Sequence, residues 1–387
     1  MMNSERIEST GRKIRVGVMF GGRSGEHEVS LMSASSVMSA LDREKYDVLE
    51  IGITRSGQWL AGPAMAQLQA GDSGAHPATL LPDPSSLALL KVNAGDEAAT
   101  RFSEVSQLDV VLPILHGTYG EDGTVQGLLE LADLPYVGAG VVGSAVGMDK
   151  AIFKYVMEAN DIPIVDWCLV TRDSWRRRKR SVIGDIEVKL NYPVFTKPAN
   201  LGSSVGINKC NNRAELSEGI DEAFQFDRRV VVEQGINARE LEVAVLGNED
   251  PIASIVGEIR PRREFYDYVA KYMAEPGSDD ESELLIPAEI DKETSDLIRA
   301  LAVRAYKAID CAGMGRVDLM MDRDSGELFM NEINTIPGFT RISMYPKLWE
   351  ATGLSYPELL DRLIELAIER HEEKSVQKTN IDIDQVA

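Results

Sequence analysis

The stretch that decides the fold lies near the end of the chain and reads Gly315-Arg316-Val317-Asp318, then Phe329-Met330-Asn331-Glu332-Ile333-Asn334-Thr335-Ile336-Pro337-Gly338. Both parts have strand composition, and the turn-rich segment 322–326 between them predicts an antiparallel hairpin. Because side chains alternate along a strand, Arg316 and Asp318 share one face, as do Glu332 and Asn334. Two carboxylates and an amide supply the hard oxygen ligands that Mg²⁺ takes together with substrate phosphates. The hairpin therefore predicts a metal site that holds a nucleotide.

A polar outer face without any ligand is the alternative for this hairpin, and such faces are common. It fits less well here, because Glu332 and Asn334 lie between a strand that is predicted to be in the core and a rigid Pro337-Gly338 turn. We therefore favour the metal site.

Composition limits the classes of protein to which the chain can belong. Its 387 residues indicate roughly two or three domains, and 44% apolar with 27% charged residues is typical of a globular fold. A net charge of -21 argues against nucleic acid and anionic membranes as partners, because both require a basic patch. The chain has no run with the length of a signal peptide core or a bilayer span, and its three cysteines are scattered. We expect a cytoplasmic protein that acts on small molecules.

The first third of the chain alternates strands with helices. The predicted strands and helices are Ile14–Phe20, Val29–Leu41 (helix), Tyr46–Ile53, Val110–Leu115 and Thr124–Leu131 (helix). This order predicts a doubly wound parallel sheet, which binds ligands at the carboxyl ends of its strands. The segment from Gly57 to Ser103 has no clear period and is predicted to be an irregular excursion on the surface.

Three domains are expected, with ranges 12–138, 139–233 and 234–372. The second domain contains a predicted helix from Met148 to about Ala159 and, at 172–183, an arginine-rich run. We interpret that run as a solvated insertion because the protein is so acidic. The third domain contains a long segment, 264–285, whose aromatic content favours a lid. A final amphipathic helix is predicted from Tyr356 to about His371.

A glycine-rich segment, Lys197-Pro198-Ala199-Asn200-Leu201-Gly202-Ser203-Ser204-Val205-Gly206-Ile207, lies between predicted strands at 193–196 and 205–207. Small residues let backbone N–H groups approach an anion, and Lys197 adds a positive charge. The segment lacks the Gly-Lys-Ser/Thr ending of a Walker loop. A hairpin turn without a ligand is an equally good reading of this segment taken alone.

Further polar residues follow strands elsewhere. Glu26 and His116 come directly after predicted strands of the first domain, at the sheet edge where ligands bind. A ligand role for His116 is favoured over a structural one. In the second domain, the strand Val230–Ile236 breaks into a connector that exposes backbone groups able to pair with an adenine edge, and Glu240 beyond it could accept from ribose hydroxyls.

Together these segments resemble the ATP-grasp ligases, and among them the D-alanine:D-alanine ligase family, from about Ile14 to about Ile368. The resemblance implies an α/β chain with an ATP-grasp fold preceded by a doubly wound parallel-sheet amino-terminal domain that binds substrate. It also implies that ATP phosphorylates the carboxylate of one D-alanine and that the amine of a second attacks the acyl phosphate. Synthesis of peptidoglycan precursors and a homodimer are part of that expectation. The alternative within the family is a ligase that takes D-lactate or D-serine second.

The resemblance also implies the residues that hold ATP and its metal ions. It assigns phosphates to Lys150, Lys197 and Ser204, the adenine edge to backbone groups of Glu233 and Ile236, the ribose to Glu240, and the adenine face to Met320. It assigns a pair of Mg²⁺ ions, replaceable by Mn²⁺, to Asp318, Glu332 and Asn334.

For the amino acids, the resemblance implies that Glu26 anchors the first ammonium group with Ser203 and Tyr272. Arg316 and the N–H of Gly338 are expected to stabilise the tetrahedral oxyanion. The remaining expected substrate contacts are His116, Lys271, Ser343 and the N–H of Met344. No Ser-His-Asp or Cys-His arrangement is needed, because ATP performs the activation.

Overall fold

A computed structural model describes residues 12–71, 77–94, 100–202, 204–260 and 282–378. Ser203, Lys271 and Tyr272, to which the sequence assigns roles, lie outside the described residues, and so does most of the predicted lid.

The amino-terminal unit is built on a sheet with the strand order β3-β2-β1-β7. Its elements are β1 (Ile14–Gly21), α1 (His27–Ala40), β2 (Tyr46–Ile53), β3 (Trp59–Ala61), α2 (Ala64–Gln69), β4 (Ala78–Leu80), β5 (Ala88–Ala94), β6 (Thr100–Gln107), β7 (Val110–Ile114) and α3 (Thr124–Leu131). β1 pairs in parallel with both β2 and β7, and short β3 closes one edge antiparallel to β2. Continuous burial of β1 and β7 explains their apolar runs, because helices and loops cover both faces of a parallel sheet.

The segment 57–103 is not irregular, contrary to the sequence prediction. Strands β4, β5 and β6 form a separate antiparallel sheet within and just beyond it. The strands escaped detection because β4 is only three residues long and a register shift between Leu89 and Leu90 interrupts the alternation of β5. Leu80 and Leu89 anchor this sheet to the core beneath β1.

The central unit contains an antiparallel sheet with the order β10-β9-β11-β8. Its elements are α4 (Val141–Met148), α5 (Lys150–Ala159), β8 (Trp167–Thr171), α6 (Arg172–Lys189), β9 (Val194–Pro198), β10 (Asn208–Cys210), α7 (Arg213–Ala223) and β11 (Arg229–Gln234).

One of two predictions for the central unit was wrong. Residues 205–207 are not a strand, because Ser204 (φ 58°) and Gly206 (φ 71°) adopt left-handed conformations, and the strand begins only at Asn208. The arginine-rich run is part of helix α6, which is interrupted at Arg178. Buried Trp175 and Ile183 hold this helix to the sheet, and most of the arginines are exposed, as predicted.

The carboxy-terminal unit has the order β14-β13-β12-β15-β16, antiparallel throughout. Its elements are β12 (Ala238–Leu246), β13 (Ile252–Arg260), β14 (Glu283–Leu285), α8 (Lys292–Ala308), β15 (Met314–Asp322), β16 (Leu328–Asn334), α9 (Met344–Thr352) and α10 (Tyr356–Ser375). The hairpin that the sequence predicts is β15 with β16. The predicted lid segment was expected to lack strands, but its last residues form β14, which pairs with β13. The three domain ranges stay a prediction.

The largest core cluster joins the first unit to the last. Phe20 and Leu112 of the parallel sheet belong to the same buried cluster as Phe339, Trp349 and Leu363 of the carboxy-terminal unit. Burying each such side chain contributes about 1.5–3 kcal/mol. This shared core fixes the carboxyl ends of the parallel strands opposite the β15–β16 hairpin. Within the described ranges, no helix combines the length and apolarity that crossing a bilayer requires.

Candidate active site

Three neighbouring strands place acidic side chains in one row. Asp318 on β15 is directly opposite Glu332 on β16 and Glu242 on β12. Arg316 is opposite Asn334 in the same hairpin. Because opposite residues of antiparallel strands project to one side, these five side chains share one face of the sheet. The predicted hairpin geometry is thereby confirmed, and β12 adds a third carboxylate to it.

Arg316 is the cationic centre of this face. Its Nε and Nη2 donate to the two carboxylate oxygens of Asp318 at 2.8 and 2.6 Å, and its Nε lies 3.0 Å from Glu242 Oε2. Asn334 Nδ2 donates to Asp318 Oδ2 at 3.0 Å. Bidentate arginine pairs fix orientation as well as charge. Sequence analysis missed Glu242, although its spacing of two residues from Glu240 places both on one face.

The donors on this face fit a hard divalent cation. Asp318, Glu332 and Asn334 offer carboxylate and amide oxygens, the ligand types that Mg²⁺ accepts. In the described part of the chain, no group of three or more His, Cys, Asp or Glu side chains is arranged to hold a metal. The residues present therefore suit an ion that completes its coordination with phosphates and water.

Lys150 connects the glycine-rich loop to the hairpin. Its Nζ donates to the carbonyl oxygen of Leu201 at 2.8 Å and lies 3.8 Å from Glu332 Oε2. Asp149 fixes this lysine at the start of α5, because its carboxylate caps the helix by accepting from the N–H groups of residues 151 and 152. The loop and the acidic face are thus held on either side of one ammonium group.

A second pair of lysines surrounds Glu233 on β11. Glu233 Oε2 lies 2.6 Å from Lys197 Nζ, and its Oε1 lies 3.1 Å from Lys154 Nζ. Burial by itself would raise the pKa of Glu233, but the two ammonium groups outweigh burial and lower this pKa to about 2. Burial also opposes the charge of Lys197, yet Glu233 raises the pKa of that lysine overall. The sequence predicted only a backbone role for Glu233 and missed Lys154, which follows Lys150 by one helical turn.

The remaining residues that the sequence assigns to the nucleotide lie on β12, on β15 and in the connector before β12. Ile236 is in the connector that links β11 to β12. Glu240 on β12 is opposite Met320 on β15, two residues along from Glu242 and Asp318. Glu240 and Met320 therefore border the row of carboxylates. Their contacts with a nucleotide stay a prediction.

Glu26 lies at the start of α1, in the turn that follows β1. Its side chain is buried between two loops: a Cβ at Gly117 would come within 2.5 Å of Glu26 Oε2, and one at Gly202 within 3.2 Å. Gly117, which also has a left-handed φ of 74°, and Gly202 leave the space that this carboxylate occupies. The carboxylate consequently joins the amino-terminal unit to the glycine-rich loop.

His116 is buried, and both of its ring nitrogens bind protein atoms. Nδ1 lies 3.0 Å from the carbonyl oxygen of Ile336, and Nε2 lies 3.1 Å from Ser33 Oγ. Because a carbonyl only accepts, Nδ1 carries the hydrogen and Nε2 accepts from Ser33. Ser33 Oγ in turn accepts from the N–H of Phe339 at 3.3 Å. These contacts hold the segment around Gly338, and the predicted ligand role of His116 stays a prediction.

Glu121 lines the site, but the sequence analysis did not assign it a role. Its carboxylate accepts from the N–H groups of Gly117 at 2.6 Å and Ile336 at 3.2 Å. Burial, together with the nearby Glu26 carboxylate, raises the pKa of Glu121 to about 8. Its position five residues after His116, in the same loop, was the available signal.

We expect Glu121 to make stability fall as pH rises. The native state keeps the Glu121 proton up to a pKa of about 8, whereas the unfolded chain releases it near the ordinary value of 4.5. Between these values the free energy of unfolding falls by up to about 1.4 kcal/mol per pH unit. Glu121→Gln should flatten this slope in urea unfolding measured across the range. Exposed Glu44→Gln should keep the wild-type slope, and a slope unchanged in Glu121→Gln would contradict the assignment.

The segment after the hairpin ends at the amino terminus of α9. Ser343 is the N-cap residue of this helix, and its Oγ lies 2.8 Å from the Thr340 hydroxyl oxygen. A Cβ on Gly338 would approach Ser343 Oγ to 2.9 Å, so the two residues are neighbours. Met344 is the first helical residue and is buried. Free N–H groups at a helix amino terminus favour carboxylates and phosphates.

A cavity of about 580 Å³ collects most of these groups. The predicted residues that line it are Glu26, His116, Lys150, Ser204, Arg316, Glu332, Asn334, Gly338, Ser343 and Met344. The predicted residues beside it but not in its lining are Lys197, Glu233, Ile236, Glu240, Asp318 and Met320. Another cavity, of about 390 Å³ between α5, β8 and α6, is lined by none of the predicted residues.

Family models match both halves of the chain: the D-ala D-ala ligase N-terminus over residues 15–139 and the D-ala D-ala ligase C-terminus over residues 156–365. The chain belongs to the D-alanine–D-alanine ligase family. Among relatives of that name, the one from Natranaerobius thermophilus is 46% identical over 95% of this chain and 99% of its own length. The one from Heliobacterium modesticaldum is 49% identical over 95% and 98%.

Solved structures of this ligase family have the same fold. A D-alanine-D-alanine ligase from Coxiella burnetii is 37% identical, with a TM-score of 0.76 over 94% of this chain and 96% of that one. The VanG D-Ala:D-Ser ligase from Enterococcus faecalis is also 37% identical, with a TM-score of 0.80 over 92% and 100%. The predicted fold class, an ATP-grasp fold preceded by a parallel-sheet domain, is confirmed.

Proposed function

We propose that the protein joins two D-alanine molecules to D-alanyl-D-alanine in an ATP-dependent reaction through a D-alanyl phosphate, for peptidoglycan precursor synthesis. The observation that carries the proposal is the cavity of about 580 Å³. Its lining includes Glu26, which can bind an ammonium group, Arg316, and two side chains of the β15–β16 hairpin that suit a metal ion, Glu332 and Asn334. Membership in the ligase family supports the same reaction.

ATP lies, in this proposal, between the central and carboxy-terminal sheets. Lys150, Lys197 and Ser204 hold its phosphates, which is supported by the contact of Lys150 with both the glycine-rich loop and Glu332. The residues that take the nucleoside are Glu233 and Ile236 through backbone groups, Glu240 at the ribose and Met320 against the adenine. Asp318, Glu332 and Asn334 bind Mg²⁺, or Mn²⁺ in its place. When bound, these ions neutralise phosphate charge.

Glu26 binds the ammonium group of the first D-alanine. Its burial beside Gly117 and Gly202 supports this role, because a carboxylate in a partly dry site binds an ammonium more strongly than one in water. Ser203 and Tyr272 complete this contact, and Lys271 reaches the phosphates. These three assignments rest on the sequence.

Arg316 and the N–H of Gly338 stabilise the oxyanion that forms when the second amine attacks. Preorganised donors are effective because they need no rearrangement in the transition state. His116 donates to the carbonyl oxygen of Ile336, and Ser33 accepts from the N–H of Phe339. These contacts hold the chain on either side of Gly338, so His116, besides contacting substrate, positions that N–H. Ser343 and the N–H of Met344 bind the carboxylate of the second D-alanine at the amino terminus of α9.

The setting of the reaction belongs to the same proposal. We infer a cytoplasmic homodimer whose partners are D-alanine and ATP, without nucleic acid or membrane. The net charge of -21 supports the absence of a polyanionic partner, since it leaves no excess of basic groups.

The proposed reaction is tested by phosphate release from ATP and Mg²⁺. We expect release only when D-alanine is added, with D-alanyl-D-alanine as the product in mass spectrometry. L-Alanine is the matched control and should give no turnover. Robust turnover with L-alanine, or none with any D-amino acid, would refute the function.

A second candidate reaction uses D-serine or D-lactate as the second substrate. The structural likeness to a D-Ala:D-Ser ligase favours keeping it. Relatives named D-alanine–D-alanine ligase are more similar in sequence, at 46–49% identity. Competition between D-alanine, D-serine and D-lactate in one assay separates the two candidates, and a majority of mixed product would favour the second.

A further inference from the structure

Lys154 is a buried lysine near the proposed phosphate site that the mechanism above does not use. It lies on α5, its side chain is 1% exposed, and its Nζ is 3.1 Å from Glu233 Oε1. The other oxygen of Glu233 is 2.6 Å from Lys197 Nζ. One carboxylate therefore lies between two ammonium groups, and one of these belongs to the lysine proposed to hold phosphate.

The charges of Lys154, Glu233 and Lys197 explain why a second lysine matters for phosphate binding. A carboxylate 2.6 Å from Lys197 cancels most of the field of that ammonium at the distance of a bound phosphate. Burial lowers the pKa of Lys154, and the adjacent Glu233 carboxylate opposes that shift by favouring the ammonium form. In that form, two ammonium groups against one carboxylate leave one positive charge. All three side chains are largely buried, so water screens this charge weakly.

A purely structural role for Lys154 is the competing explanation. It would fasten α5 to β11, but that connection already exists, because Asp149 at the start of α5 contacts Arg229 at the start of β11. Buried ion pairs also contribute little stability, since the loss of hydration offsets the attraction. Apart from Glu233, the Lys154 ammonium has no hydrogen-bond acceptor among residues that the structure describes. Stability alone therefore explains its burial poorly.

We propose that Lys154 is a positioning residue for nucleotide binding, which compensates the charge of Glu233 so that Lys197 remains available to the phosphates of ATP. The inference rests on the proposed function, in which Lys197 belongs to the phosphate site. Lys154 acts through Glu233 and Lys197 and does not touch the nucleotide itself, because its side chain is only 1% exposed, whereas that of Lys197 is 14% exposed.

The test measures ADP affinity of the full chain by calorimetry with Mg²⁺ present, together with the KM values for ATP and D-alanine. Lys154→Met should weaken ADP binding and raise KM for ATP on the order of tenfold, with KM for D-alanine unchanged. Lys154→Arg, which keeps the charge, should remain near wild type. The matched control is Lys292→Met, a lysine with an 89% exposed side chain, which should change nothing.

Glu233→Gln supplies the decisive comparison. The double variant Lys154→Met/Glu233→Gln again has one net positive charge, as the wild type does. It should therefore bind ADP within about threefold of wild type. If the role of Lys154 were only structural, the double variant should lose at least as much ADP affinity as Lys154→Met does. Glu233→Gln alone should bind ADP about tenfold more tightly than the double variant, a comparison that does not require Lys154→Met to fold. Equal affinity of these two variants would overturn the proposal. Failure of the proposed function itself would appear separately, as absent D-alanine-dependent turnover in the wild type.

Discussion

Glu332→Gln is expected to lower D-alanine-dependent phosphate release on the order of 10²-fold or more. Glu332 is opposite Asp318 in the hairpin and 3.8 Å from Lys150 Nζ, so it borders both the proposed metal site and the phosphate site. The amide keeps the shape of the side chain but removes the charge that binds a divalent cation. Its position on a partly exposed face predicts little change in the free energy of unfolding.

Steady-state turnover at several Mg²⁺ concentrations, with thermal unfolding in parallel, checks this result. The matched control is Glu327→Gln, a change of the same chemistry at an exposed position just before β16, which should leave turnover and melting unchanged. A near-normal rate for Glu332→Gln at ordinary Mg²⁺ would contradict the assignment of the metal site.

Arg316→Met is expected to lower kcat by about 10²–10³-fold, because it removes a donor from the place where the oxyanion forms. It also removes the partner of two carboxylates, since Arg316 contacts Asp318 at 2.6 Å and Glu242 at 3.0 Å. The side chain of Glu242 is only 6% exposed, so its charge is left poorly compensated. We therefore expect a loss of about 3–5 kcal/mol in the free energy of unfolding as well.

Arg316→Lys separates these two effects. Lysine retains the positive charge and most of the stability, but it cannot bind Asp318 in a bidentate manner while donating to an oxyanion. We expect melting near wild type with a kcat that remains strongly reduced. Arg323→Met, in the exposed turn of the same hairpin, is the control for arginine loss. If Arg316→Lys had wild-type kcat, oriented hydrogen bonding by Arg316 would be excluded as the catalytic contribution.

Asp318 and Glu242 differ in whether their place in the row of carboxylates could be predicted from the sequence. Asp318 and Glu332 lie on two strands joined by a short turn, so local alternation was enough to predict that they face each other. Glu242 joins the same row through the pairing of β12 with β15, strands that are far apart in the chain. The register of such a pairing depends on how the whole sheet assembles, and no local pattern encodes it. The strands within segment 57–103 also could not be predicted from the sequence. They are too short to show a clear alternation of apolar and polar residues.

The sequence by itself determined the hairpin, the parallel amino-terminal sheet, the order of the binding segments and the family, because each depends on local periodicity or on residues close together in the chain. Tertiary structure alone decided that both nitrogens of His116 bind the protein, that Glu121 lies near Glu26, and that Lys154 shares Glu233 with Lys197. These outcomes depend on distances between side chains that are far apart in the chain. Charge and hydrogen bonding act over a few ångströms in space, whereas a sequence pattern records only separation along the chain.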